Sequence, residues 1–322
     1  MVGSLLHESA GRNFTTTRDE VPGACSVDFQ RTIPRSLVHR AAVSEVFVTD
    51  LNIVSSGRFE VGAQWPRWHG FFGPRTGSVH DPLLYLETIR QAAILITHRA
   101  YGVPLSHSFI SDSKSYTLDA AGMATEGSPV EVVLQATAHD VTYRGKHLGG
   151  TRLEFGCFRD GVLIGTASES GRIVSPAVYR RLRGDHFAAT PFQAPRLSTV
   201  EPQLVGRDRR EDVLLAATPE PGTWLVRADP EHPVLFDHSV DHLPGMVVLE
   251  AARQAALLTI GEPHALPVRA EFSFSSYLEF DAECRVVTDE LEPDSDGARV
   301  VRVALEQNGR AAATGTLAMR VS

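Results

Sequence analysis

A carboxylate, a guanidinium and a carboxamide recur at one spacing in two places: Glu87, Arg90 and Gln91, then Glu250, Arg253 and Gln254. A carboxylate can move protons, a planar guanidinium can hold two oxygens of a phosphate, and a carboxamide can orient either. Residues three and four apart on a helix share one stripe, so each trio forms a single edge. The surroundings are apolar: Leu83, Leu84, Leu86, Ile89, Ala92 and Ala93 flank the first trio, and Val247, Val248, Leu249, Ala251, Ala252 and Ala255 the second. A helix with almost no polar face is a buried one. Charges there require partners, so each stripe is either an internal ion pair or a place of chemistry.

As a site, each stripe would set a proton-transferring carboxylate beside a group that binds anions. Desolvation is expected to raise the pKa of Glu87 and Glu250 and make either a general base near neutrality. Arg253 is the expected phosphate ligand, with Arg90 its counterpart and Gln91 and Gln254 further substrate contacts. Pro244 and Gly245 open the second helix and leave the Gly245 and Met246 amides unpaired, able to receive an oxygen that gains negative charge. His238 and His242 flank Asp241 ahead of that helix, and His69 lies in the matching Gly- and Pro-rich loop of the first copy. His238 is the preferred catalytic histidine, with His242 and His69 as substrate contacts. Capping or solvent-facing roles are the plainer alternative for the histidines. For each Glu and Arg it is an ion pair within the helix, worth about 0.2–0.5 kcal/mol when exposed.

The two stripes lie 163 residues apart, as positions 87 and 250, 90 and 253, and 91 and 254 show, which is about half of the 322-residue chain. The chain therefore reads as a duplication. In the first copy, alternation at Phe59, Val61, Ala63 and Trp65 predicts a strand, and residues 38–48 predict one strand or two short ones. Asp81 and Pro82 should cap and open the first helix. Further strands are expected at 113–118, 130–143, 150–158 and 162–173, then a short helix at 177–183. Asp160-Gly161 and Asn308-Gly309 are matching hairpin turns, and Tyr277 is matched to Tyr116. A sheet wrapped around a helix that needs cover on most sides is a hotdog, so the expected class is α+β, a double hotdog. Its divisions are a mobile tail at 1–30, a first hotdog at 31–185, a linker at 186–211 and a second hotdog at 212–322.

Composition narrows the function. With 43% hydrophobic and 22% charged residues the chain should fold rather than stay disordered, and a net charge of −8 argues against a nucleic-acid surface. Cys25, Cys157 and Cys284 show no metal spacing and suggest buried thiols in a reducing cytoplasm. Neither a signal peptide nor a membrane span is expected.

The Pro-Gly-Met-x-x-Leu-Glu-Ala-x-x-Gln pattern resembles the helix region of β-hydroxyacyl-ACP dehydratases, which are hotdog proteins. Three blocks together resemble the A-factor biosynthesis (AfsA-type) family of γ-butyrolactone and furan signalling pathways. They are residues 37–50 with Val38-His39-Arg40, residues 80–92 with Glu87 and Arg90, and residues 236–255 with Glu250 and Arg253. The resemblance spans residues 31–322. It implies transfer of a β-ketoacyl group from acyl carrier protein to dihydroxyacetone phosphate and closure to a butenolide phosphate, with no metal or redox cofactor. It carries over to Glu87, Glu250 and Arg253 most directly. The alternatives are a hotdog dehydratase or thioesterase, or an acyl-binding protein without catalysis. Two hotdogs in one chain make a monomeric pseudo-dimer feasible, and a homodimer is the other possibility.

Overall fold

The computed structural model describes residues 26–73, 79–187 and 198–321. Asp81 and Pro82 start the first helix as the sequence predicts: α1 runs Pro82–Ala100, and the Asp81 carboxylate accepts from the Leu83 N–H at 2.9 Å. The second long helix, α3, runs Gly245–Ile260 and ends where Gly261 takes a left-handed conformation and returns its N–H to Leu257. Between them lies the short helix α2, Pro176–Arg183. Both long helices are buried on nearly every side, Glu87, Gln91, Glu250 and Gln254 included.

The strands of the first half are β1 (Val48–Ser55), β2 (Arg58–Trp65), β3 (Ser108–Leu118), β4 (Val130–Arg144), β5 (His147–Arg159) and β6 (Val162–Val174). Those of the second are β7 (Leu215–Ala217), β8 (Thr223–Val226), β9 (Leu266–Phe274), β10 (Cys284–Leu291), β11 (Arg299–Gln307) and β12 (Arg310–Arg320). All twelve join one sheet in the order β1-β2-β4-β5-β6-β3-β9-β12-β11-β10-β8-β7. Read from the middle outward, the two halves have the same order. Their seam is the antiparallel pairing of β3 with β9, where Tyr116 faces Ala270. The hairpin turns match as well: Asp160 and Gly161, and Asn308 and Gly309, all have positive φ, the conformation that suits a two-residue hairpin. Two six-stranded hotdogs thus share one curled sheet with α1 and α3 inside it, the α+β double hotdog.

Two expectations change. Residues 38–48 do not form strands; they make 3-10 turns at Arg35–Val38 and Val43–Glu45, and pairing begins at Val48. The reason is that Gln91 supplies what a neighbouring strand would have supplied: it accepts from the Phe47 N–H at 2.9 Å and donates to the Glu45 carbonyl at 2.7 Å. Tyr277 does not take the place of Tyr116, because it lies in the loop after β9. Tyr116 pairs with Ala167 and Phe272 pairs with Gly315, each six residues past its turn glycine, so Phe272 is the counterpart.

Cys157 and Cys284 are buried thiols, as expected. Cys25, and the predicted mobile tail as far as residue 25, lie outside the described residues. Among the described residues no helix is long and apolar enough to cross a membrane.

Candidate functional site

Each helix glutamate sits in a cage of two guanidiniums, only one of which the helix supplies. Glu87 accepts from Arg90 Nε at 2.9 Å and from Arg40 Nε at 3.0 Å, and Glu250 accepts from Arg253 Nε at 2.7 Å and from Arg207 Nε at 2.6 Å. Arg40 and Arg207 follow equivalent 3-10 turns, Arg35–Val38 and Pro202–Val205, and each also pairs across to the other half. Arg40 lies 3.9 Å from Asp237, and Arg207 lies 3.4 Å from Asp81. Arg207 belongs to the stretch 186–211; residues 188–197 of that stretch lie outside the described residues.

The cages overturn the expected base. Burial pushes the Glu87 and Glu250 carboxyls up, but the charges and hydrogen bonds of two arginines outweigh it and hold both well below the usual carboxylate range. They stay ionised and act as structural anions. Gln91 and Gln254 are also fully engaged. Gln254 donates to Glu250 at 2.6 Å and to the Asp212 carbonyl at 2.8 Å, and accepts from Leu214, repeating the contacts of Gln91. Neither carboxamide is left to hold substrate.

His69 is likewise spent on its own loop. Its Nδ1 accepts from the Phe71 and Phe72 amides, and its Nε2 faces Glu45 at 3.3 Å. His232, which sequence reading passed over, does the same with the Val234 and Leu235 amides and with Asp212 at 3.0 Å. It lies 163 residues after His69, the repeat's own spacing, and that was the signal to look for.

The halves diverge in one respect. A cavity of about 440 Å³ opens between the first half and the start of α3, lined by Arg90, Lys114, Glu169, His238, Gly245 and Met246 among others, with Ile94, Leu153 and Ile173 as apolar wall. Arg253 does not line it; its side chain is 6% exposed against 18% for Arg90. The helix starts explain part of the difference. α1 begins with Asp81 as a side-chain cap and a proline that has no N–H, whereas α3 begins after Pro244, which offers no side-chain acceptor, and then Gly245. The first turn of α3 thus has no side-chain cap, and its Gly245 and Met246 line the cavity.

The loop ahead of α3 is clamped from α2. Arg183 donates to Asp241 at 3.1 Å and to Glu279 at 2.7 Å, Tyr179 donates to Asp241 at 2.6 Å, and His242 shares a 2.8 Å bond with the same carboxylate. His242 thus lines the cavity with Nδ1 engaged, and His238 stands beside it, its Nδ1 3.6 Å from Asp237.

The cages predict acid sensitivity. Glu87 and Glu250 have folded pKa values below their ordinary 4.5, so the stability they supply is present above that value and is lost as pH falls through the folded pKa. His39 and His80 act in the same direction earlier: burial first, then His98, Arg90 and His238 beside the one and Arg159 beside the other, lower both to about 4 from 6.5. Urea midpoints should hold above about pH 6.5 and fall progressively below it. A Glu250→Gln variant, destabilised at neutral pH, should converge on the parent protein as the medium is acidified. A gap that stays constant would contradict the ionised cage.

Fold and site define a double-hotdog protein with a cleft at the start of its second long helix. The chain belongs to the A-factor biosynthesis (AfsA) hotdog family, whose domain matches residues 25–175 and again 188–322. It is 40% identical over 277 residues to a 2-oxo-3-(phosphooxy)propyl 3-oxoalkanoate synthase of Streptomyces virginiae, covering 86% of this chain and 94% of that one. A synthase of the same name from Streptomyces coelicolor is 37% identical over 277 residues, covering 86% and 88%. Among solved structures, an acyl-ACP thioesterase from Bacteroides thetaiotaomicron superposes with a TM-score of 0.50 at 14% identity, covering 81% of this chain and 98% of that one. The pyran synthase domain from module nine of the sorangicin pathway gives 0.50 at 12%, covering 86% and 98%. At such identities the likeness is one of fold.

Proposed function

We propose that this chain transfers a β-ketoacyl group from acyl carrier protein to the hydroxyl of dihydroxyacetone phosphate, giving an ester that closes to a butenolide phosphate by intramolecular aldol condensation. The name of the Streptomyces relatives describes such an ester, a 3-oxoalkanoate on a 2-oxo-3-(phosphooxy)propyl group. The observation that carries the reading is one cavity in which uncapped helix amides, cations and an apolar wall meet. The Gly245 and Met246 amides receive the thioester carbonyl oxygen as it gains charge. Ile94, Leu153 and Ile173 take the acyl chain. The phosphate is held by Arg90, with Lys114, which pairs with Glu169, beside it, in a lining where Arg40 and Arg172 add further positive charge. Arg90 thereby replaces Arg253 as phosphate ligand, because Arg253 lies outside the cavity. The paired hotdogs work as a monomeric pseudo-dimer in the cytoplasm.

The purified protein, given a β-ketoacyl thioester and dihydroxyacetone phosphate, should form the ester or its butenolide, detected by mass spectrometry. Free β-keto acid without ester would make it a thioesterase, and a bound acyl chain with no product would make it a binder. In the Arg90→Met variant, loss of a charged hydrogen bond predicts a rise of about 10–100-fold in KM for the phosphorylated acceptor. Hydrolysis of the thioester by water should change little, and an unaltered KM would remove Arg90 from the phosphate site.

A further inference from the structure

The cavity contains a histidine whose backbone conformation is unusual. His39 ends its 3-10 turn at φ 52° and ψ 55°, in the left-handed region. Residues other than glycine, asparagine and aspartate seldom adopt it, and the cost is about 1 kcal/mol or more. The second half has the same turn, closed by equivalent bonds from Arg40 to Arg35 and from Arg207 to Pro202, and there the residue is Gly206 at φ 61° and ψ 39°. One half thus uses the residue suited to the turn, and the other accepts strain to place an imidazole.

That imidazole has a built environment. His39 Nε2 lies 2.9 Å from His98 Nε2, and His98 Nδ1 lies 2.8 Å from the Val103 carbonyl. A carbonyl only accepts, so His98 carries its proton on Nδ1. In its neutral form, its Nε2 then accepts from His39 Nε2–H. The bare nitrogen of His39 is Nδ1. Phe109 packs edge-on against both rings, with centroids 5.3 and 5.4 Å away. None of the three rings has a counterpart in the other half. At the helix spacing of 163, His98 corresponds to Gly261, the residue that terminates α3. Counting back along β3 and β9 from Tyr116 and Phe272, Phe109 corresponds to Ala265. The half whose cavity is open has two histidines and a phenylalanine where the other has Gly206, Gly261 and Ala265.

We propose that His39 is the catalytic base for the acceptor hydroxyl and that His98 is its positioning residue, an assignment that rests on the acyl-transfer reading above. His39 Nδ1 takes the hydroxyl proton as that oxygen bonds to the thioester carbonyl carbon. The tetrahedral intermediate then collapses with cleavage of the C–S bond. The departing sulfur recovers the proton from His39 Nδ1–H, leaving an ester, a free thiol and the original imidazole. His98 fixes the tautomer that this exchange requires.

The charged and titratable groups around His39 are His98 and Arg90 on α1 and His238 from the loop before α3. After burial they are the causes that lower its pKa to about 4, so the ring is neutral and able to accept a proton at physiological pH. Phosphate bound at Arg90 offsets one of those cations and moves the imidazole toward the range where a base is most effective.

His39→Gly installs the other half's residue and relieves the strained turn, so the variant should fold at least as stably as the parent. Its kcat should fall about 10²–10⁴-fold while KM for the acyl donor stays within about threefold, and added imidazole should restore part of the turnover. His98→Gln should lower kcat less and move the acid limb of kcat/KM. Turnover of His39→Gly within about threefold of the parent overturns the assignment, as does a folded variant with no imidazole rescue. A parent protein that makes no ester overturns acyl transfer instead. Imidazole nitrogen NMR of His39 then still decides the tautomer, and a protonated Nδ1 at neutral pH would overturn the base.

Discussion

Replacing Arg207 with alanine should destabilise the protein by about 3–5 kcal/mol, a large share of the roughly 5–15 kcal/mol that holds a typical domain. Arg207 donates to Glu250 at 2.6 Å and to the Phe71 carbonyl at 2.6 Å, approaches Asp81 at 3.4 Å and lies 3.8 Å from the centre of the Phe71 ring. Its side chain is 2% exposed, so water does not replace it when it is lost. Glu250 would keep Arg253 as its one caging cation, beside the Gln254 carboxamide, and the Asp81 carboxylate would lose a cation that links the two halves. Urea titration measures the loss. A single variant within about 1 kcal/mol of the parent would show that the cage is hydrated. Arg40→Ala should be milder, because Arg40 borders the cavity and cavity water can fill the space it leaves.

The duplication made the scaffold legible. Two Glu-x-x-Arg-Gln stripes on apolar helices located α1 and α3, and the Asp-Gly and Asn-Gly turns located the hairpins that follow. The partners of those stripes were less visible because they are distant in the chain: Arg40 is 47 residues from Glu87, and Arg207 is 43 from Glu250. From the helix alone each glutamate had burial and one arginine, which left a raised pKa open. With the second arginine the balance reverses. A trace of the second arginine was present, in that Val38-His39-Arg40 recurs as Val205-Gly206-Arg207, but 167 residues apart rather than 163. The insertion hid the match.

The open cleft was illegible for a different reason. It depends on how loops of one half meet the helix of the other, which no periodicity encodes. Stripe against stripe, Arg253 and Arg90 are equivalent; only packing distinguishes the arginine that borders a cavity from the one enclosed in the core. The sequence did contain one local difference that bears on it, at the two helix starts.

That difference allows a test of the oxyanion assignment that hardly touches the fold. Pro82 opens α1 and Gly245 opens α3 at the same position of the repeat, so Gly245→Pro installs the other half's residue. Proline suits the first position of a helix, where its missing N–H is unpaired in any case, and a side-chain carbon at Gly245 meets nothing within 4 Å. Pro244 is already extended at φ −60° and ψ 149°, as a residue before proline must be. Stability should therefore be unchanged or rise by up to about 1 kcal/mol, since proline restricts the unfolded chain. Activity should behave otherwise. If the Gly245 amide receives the thioester oxygen, its loss predicts a drop in kcat of about 10²–10³-fold, the usual effect of removing one such donor. Gly245→Ala keeps the N–H and should retain most of the rate, which separates the missing donor from the added carbon. Equal losses in both variants would point to crowding of the cleft, and full activity in Gly245→Pro would remove the Gly245 amide from the oxyanion site.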